Sequence, residues 1–324
     1  MISENKIRFI ETQLGETIDK LLEFPMYINI ETINMCNARC NMCGIDFDNR
    51  IKHVMTDQIF NKITEEISEY KEHIRKVNLY LDCEPLMDKY LHEKIHKLKR
   101  VGVGKVNIAT NASILFANRI VEIIEAGLDE AYISIDSLSK EKYETIRKRL
   151  KFESVYNNIL ELINIRNQMK SNLSIRIQMV SQEMNFGEEE AFVNHWTPLL
   201  NEKDKIVVHK AHNWGNKVNV PVYEEDTFIN DSPCSILWSN ACIHSNGSIA
   251  LCSVDTEASS LHSIGSLNGS SIKDIWHDFH LDRIREVHLT GNREQHSLCN
   301  GCTAWREIKN IKYHYGEQPK ISGI

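Results

Sequence analysis

Seven of the nine cysteines fall into two groups whose spacing could do chemistry. Cys36, Cys40 and Cys43 form a C-x3-C-x2-C loop, while Cys234, Cys252, Cys299 and Cys302 lie late in the chain, the last two as C-x2-C. Thiolates are the usual ligands of iron–sulfur clusters and of structural zinc. Three thiolates in one short loop suit three irons of a [4Fe–4S] cube and leave the fourth iron open, as in catalytic metal centres. Structural zinc wants four ligands, and no histidine or cysteine beside the loop completes a set; His53, ten residues beyond Cys43, is the nearest. The later four cysteines suit either a fully ligated [4Fe–4S] cluster or zinc. Cys83 and Cys242 read as small buried apolar residues. An odd number of cysteines also speaks against a disulfide framework.

These residues need elements to position them. Ile7, Ile10, Leu14, Ile18 and Leu22 recur at helical spacing and predict a lead-in helix over 5–23. Short β-rich runs follow at 27–30, 77–81, 105–109, 130–135, 173–180 and 205–208. Helical patterns at 57–70, 88–100, 114–126, 139–147, 152–170 and 187–199 separate them. This alternation predicts βαβ units and a parallel sheet, as a doubly wound open sheet or a partial barrel, since six units are too few for a complete eight-stranded one. The C-x3-C-x2-C loop follows the first strand directly. Past residue 215 the rhythm changes. Ile243–Leu251 predicts a hairpin with Asn246-Gly247 in a type I′ turn, and short helices are expected over 271–277 and 281–289.

Composition narrows the class. A net charge of −7 gives no basic face for nucleic acid. No run approaches the roughly 20 apolar residues that span a bilayer, and the charged N-terminus lacks a signal-peptide core. The expectation is a cytoplasmic protein with no nucleic-acid or membrane partner, in which clustered cysteines hold metal.

The Cys36/Cys40/Cys43 loop resembles the signature of the radical S-adenosylmethionine (SAM) superfamily. That resemblance implies an α/β fold, a partial (β/α)6 TIM-like barrel. It implies that SAM chelates the open iron and that reduction by a flavodoxin- or ferredoxin-type electron donor cleaves it. The resulting 5′-deoxyadenosyl radical then abstracts hydrogen from substrate. Glu84 and Pro85 match the family's Gly-Gly-Glu-Pro-like motif, although Asp82 and Cys83 stand where it has glycines. Thr110-Asn111-Ala112 resembles its Thr-Asn-Gly. Ser134 and Asp136 resemble its fourth strand, and Arg176 or Gln178 on the fifth could reach SAM. Glu84, Pro85, Asn111, Ser134, Asp136, Arg176 and Gln178 are thus the expected SAM contacts.

The later cysteines, with Ile264-Gly265-Ser266-Leu267, Ile272–Trp276 and the 281–289 helix, resemble the SPASM domain. No cysteine follows Cys302, so the resemblance is to the shortened "twitch" form with one auxiliary [4Fe–4S] cluster, as in the aminocyclitol dehydrogenase group of the butirosin pathway. The expected organisation is a helical lead-in (1–24), the barrel (25–215) and a small α+β twitch/SPASM domain (216–324). Four thiolates leave the auxiliary cluster no open iron, which favours an electron-accepting role and dehydrogenation of a sugar, cyclitol or other small molecule. His209, Lys210 and His212, after the sixth strand, are the candidate base or orienting groups, although a similar His-Asn-Trp-Gly stretch in relatives shapes the domain junction. Two alternatives remain: a maturase of a ribosomally made peptide or protein, and a non-catalytic zinc or redox-sensing protein.

Overall fold

The computed structural model describes residues 3–48, 50–219, 232–256 and 262–304. The expected lead-in helix is two helices, α1 (Glu4–Leu14) and α2 (Ile18–Glu23), divided at Gly15, whose φ of 63° ends α1. Strand β1 (Tyr27–Ile30) opens the barrel, and the two-residue β2 (Arg39–Cys40) lies within the first cysteine loop. Next come α3 (Asp57–Glu69), β3 (Lys76–Asn78), α4 (Leu91–Arg100), β4 (Val106–Thr110), α5 (Ala117–Glu125) and β5 (Glu130–Ser134). Helix α6 (Lys140–Ile146), β6 (Arg147–Lys148), α7 (Phe152–Gln168), β7 (Ser174–Ser181), α8 (Glu189–Trp196) and β8 (Lys205–Lys210) complete the series.

The six long strands pair in parallel in the order β1-β3-β4-β5-β7-β8, the expected (β/α)6 half of the fold. Their outward residues are nearly all aliphatic. Ile28, Ile30, Val77, Val106, Ile108, Ile133, Ile175, Ile177 and Ile206 are buried, packed beneath the apolar stripes of α3, α4, α5 and α7. The inward face carries the polar side chains described below. Arg166 on α7 and Asp204 before β8 form a fully buried bidentate pair, both bonds at 2.8 Å, and Asp204 also accepts from Ile175 N.

Beyond the barrel, β9 (Asn240–Ile243), β10 (Ser248–Ala250), β11 (Ser263–Ser266), α9 (Ile272–Trp276) and α10 (Phe279–Leu289) match the expected hairpin and short helices. Two features differ from expectation. Only Gly247 in the hairpin loop has positive φ, at 85°, so the turn is not type I′, which needs Asn246 there too. More consequentially, β9 pairs in parallel with β1, Tyr27 opposite Asn240 through Ile30 opposite Ile243. The C-terminal strands therefore extend the barrel sheet to nine strands in one continuous ladder. Trp276 on α9, buried against the barrel, donates its indole N–H to Leu21 O at 3.2 Å. The last part of the expected 216–324 region, 305–324, lies outside the described residues.

Candidate active site and auxiliary cysteine site

The first cysteine loop is held over the C-terminal ends of the barrel strands. β2 pairs antiparallel with β6, setting Cys40 opposite Arg147. The Arg147 guanidinium donates to Asp136 at 2.6 Å and reaches Cys40 Sγ at 3.7 Å. Burial pushes the Cys36 and Cys43 thiols up to about 12, and Cys40 upwards too, although Arg147 opposes this. Three half-buried thiols that perturb one another have the donor chemistry of a metal site, where a cation releases the protons. All three line a cavity of about 500 Å³ at the strand ends.

That cavity also takes in Glu84, Asn111, Ser134, Arg176, Gln178, His209, Lys210 and His212. Pro85 and Asp136 are not among its lining residues. Pro85 is buried at the start of a short 3-10 turn, and Asp136, fully buried, accepts from Arg147 and Val180 N, which places both in the framework. The Glu84 carboxylate is committed as well. It accepts from Thr110 Oγ1 at 2.6 Å, Asn111 N at 2.7 Å and Leu86 N at 3.1 Å, tying β3 to β4. Burial raises its pKa against those bonds. Ala112, where the resembled motif has glycine, adopts a φ of 57°.

His209 and Lys210 end β8 rather than follow it. The Arg176 Nη2 donates to His209 Nε2, which fixes that nitrogen as the acceptor. His212 Nδ1 accepts from Trp214 N at 3.1 Å. Trp214, Gly215 and Asn216 all have positive φ, and this kinked strap joins both cysteine sites. Gly44, next to Cys43, packs so closely on Trp214 that a Cβ there would lie 2.6 Å from Trp214 Cβ. On the other side Asn213 bonds Thr303 N, Thr303 Oγ1 and Gly301 O, and Asn216 bonds Asn300 O at 2.5 Å. The strap thus grips the Cys299–Cys302 turn.

Cys234, Cys252, Cys299 and Cys302 line one small apolar cavity with Leu237, Leu251 and Leu298. Burial raises Cys234 to about 11 and Cys299 to about 12, each further raised by neighbouring thiols of the set. Four soft donors converging on a dry cavity fit a closed metal site. None of the nine cysteines is disulfide-bonded in the structure.

Sequence reasoning missed several residues. Cys83 is half-buried and lines the large cavity. Cys242 is buried, as the sequence predicts, and the feature missed is that its Sγ accepts from Asn29 Nδ2 at 3.4 Å. Arg147 carries no motif; only the β2–β6 pairing reveals it. A buried polar bridge also joins the two sites. Asp255 N donates to Cys252 O at 3.2 Å, and His244 Nε2 donates to Asp255 O at 3.2 Å. His244 Nδ1 faces Glu31 Oε2 at 3.4 Å, Arg50 binds Glu31 at 2.9 Å, and Arg50 donates to Asp82 O at 3.0 Å. Burial raises Asp82 to about 7, and neither of its carboxylate oxygens has a partner among the described residues. His244 is raised, the Glu31 carboxylate outweighing burial, which acts the other way.

A parallel half-barrel with a three-cysteine loop over its strand ends and a closed four-cysteine site beside it defines a protein with two thiol-lined metal-binding sites. The comparisons agree. Residues 30–179 match the model of the radical SAM superfamily, and residues 234–303 match that of the SPASM iron–sulfur cluster-binding domain. Radical SAM and SPASM family-model domains are thus both present in the chain. Those domains imply an enzyme with SAM and [4Fe–4S] clusters as cofactors.

Among curated relatives, molybdenum cofactor biosynthesis protein 1 of Dictyostelium discoideum is 28% identical over 156 residues, 46% of this chain and 24% of that protein. The chain spans about a quarter to a half of the lengths of the first such relatives. The structure of BtrN with AdoMet and 2-DOIA superposes with a TM-score of 0.60 at 17% identity, covering 90% of this chain and 97% of that one. Streptococcus suis SuiB bound to precursor peptide SuiA gives a TM-score of 0.65 at 13% identity, covering 86% and 70%. At such identities these likenesses show the fold alone. No helix among the described residues is long and apolar enough to cross a membrane.

Proposed function

We propose that the chain is a radical SAM oxidoreductase that dehydrogenates a polar small molecule of the sugar or cyclitol kind. Cys36, Cys40 and Cys43 would hold the SAM-binding cluster, and Cys234, Cys252, Cys299 and Cys302 the auxiliary one. When bound, the first cluster and SAM supply a radical that abstracts hydrogen, and the second accepts an electron. The observation that carries the reading is the closed four-cysteine site fastened by the 213–216 strap to the wall of the first cavity.

The chain's own residues do the rest. Asn111, Ser134 and Gln178 offer polar contacts to SAM at the strand ends, and Gln178 Nε2 donates to Ser134 Oγ at 2.9 Å. Glu84 fixes the Asn111 backbone. Trp214 and Phe47 line the cavity and present aromatic surface to whatever it holds. His209, engaged at Nε2 by Arg176, is an orienting group rather than the base in this arrangement. Lys210 and His212 remain the candidates for taking the substrate proton.

The test is anaerobic reconstitution followed by iron analysis and product analysis. Two clusters predict about eight irons, falling to about four in a Cys36→Ala/Cys40→Ala/Cys43→Ala variant. Oxidised product from a cyclitol or sugar, with none from a linear peptide, supports the small-molecule reading. Modification of the peptide alone would replace it with a maturase, and zinc at the later cysteines would remove the electron acceptor.

A further inference from the structure

Alternation along β5 and β7 sorts the cavity wall into layers. Ser134 stands opposite Gln178, and two residues earlier on the same face Tyr132 stands opposite Arg176. Two residues along a strand are about 7 Å, so Arg176 lies one layer deeper in the barrel than the strand-end pair beside the cysteine loop. Its guanidinium stacks over the Tyr132 ring, 4.3 Å from the centroid, and one edge is held by His209. Its Nε is buried without a hydrogen-bond partner, and no carboxylate among the described residues forms an ion pair with it.

A half-buried guanidinium on a cavity wall that is stacked, oriented and lacks an anion is poised to receive one. Its surroundings are polar as well. Asn107 Nδ2 donates to Asn78 Oδ1 at 3.0 Å, and Asn78 Nδ2 donates to Asn29 Oδ1 at 2.6 Å, so a row of amides crosses the barrel floor. Asn29, Asn78, Tyr80 and Tyr132 face the same cavity as Arg176. Amides and phenols of this kind hydrogen-bond hydroxyl groups.

We infer that Arg176 anchors an anionic group of the substrate, a carboxylate or phosphate on a polyhydroxylated carbon skeleton, and is not a ligand of SAM. The inference rests on the small-molecule oxidation reading and narrows it to sugar acids or sugar phosphates. Tyr132 and His209 act as positioning residues that keep the guanidinium flat and aimed.

The experiment is calorimetric titration of the anaerobically reconstituted full chain with SAM bound. The probes are D-glucose, D-glucuronate and D-glucose 6-phosphate, against wild type, Arg176→Gln and Arg176→Lys. A charge-assisted, two-pronged contact predicts at least about tenfold tighter binding of one anionic sugar than of glucose. Whichever anion is preferred identifies carboxylate or phosphate. Arg176→Gln abolishes the preference, Arg176→Lys keeps part of it, and neither shifts SAM affinity or iron content. Equal binding of glucose and both anions, or no sugar binding, overturns the inference. So does Arg176→Gln weakening SAM while the anion preference persists. Oxidation of a neutral cyclitol without any anion preference would sink this inference and leave the dehydrogenase reading standing.

Discussion

Ala112 carries a left-handed backbone that its side chain resists. At φ 57° a Cβ crowds the following carbonyl, at a cost of about 1 kcal/mol, and the turn persists because Thr110 Oγ1 accepts from Ala112 N at 3.0 Å. Ala112→Gly is expected to stabilise the fold by about 0.5–1 kcal/mol in urea unfolding. No change would mean that the lost side-chain packing offsets the relief. Arg147 works the other way. Substituting Arg147→Met strands the Asp136 carboxylate, wholly buried, and is expected to cost about 3–5 kcal/mol. The double variant Arg147→Met/Asp136→Asn recovers much of that loss if the cost is the unpaired charge, and none if it is packing.

Among the elements, the strap and the cysteine loop are one mechanical unit. Gly44→Ala forces a contact with Trp214 that the backbone cannot relieve, so iron incorporation at the first loop is expected to fall severalfold. Trp214→Gly in the same chain should restore it, since the obstruction is the Trp214 side chain from its Cβ outward and the positive φ there suits glycine. Reconstituted iron content in wild type and the two variants checks this, and loss without rescue would place the constraint in the loop itself. The bidentate Arg166–Asp204 pair is a comparable clamp between α7 and the entry to β8, one that removes two charges from water only because every donor and acceptor is matched.

Over the whole molecule, the pairing of β9 with β1 has two consequences. Truncation after residue 215 leaves β1 as an exposed edge with a row of unpaired backbone groups, so the isolated barrel is expected to be insoluble when expressed alone. A soluble, folded truncation, judged by gel filtration and circular dichroism, would refute this. The polar bridge across the same junction makes stability depend on pH. Asp82 is raised to about 7 from its ordinary carboxylate value, and its contribution is fully present below about 4 and lost as pH rises through 7. His244 is raised as well, so its contribution holds below about 6.5 and is lost above that, in the same direction. Thermal stability should therefore decline from about pH 4 upwards, and Asp82→Asn should flatten the part of the decline below about pH 7. A decline unchanged in Asp82→Asn would remove Asp82 from it.

The sequence by itself determined the parallel βα series, both cysteine groups and the family, because period-2 and period-3.6 patterns and thiol spacings are local properties of the chain. It placed the six strands within a few residues. It also placed Glu84, Asn111, Ser134, Arg176, Gln178, His209, Lys210 and His212, which the fold gathers on one cavity. Tertiary structure alone decided which of these face inward and what each is committed to. Asp136 reads like a cofactor contact in a strand motif, yet it lies in the framework because Arg147, brought by the β2–β6 pairing, neutralises it. Glu31 and His244, more than two hundred residues apart, meet only because β9 docks on β1. Arg176 lacks an anion only in three dimensions, since a charge's partner is set by what packs around it and not by its neighbours in the chain.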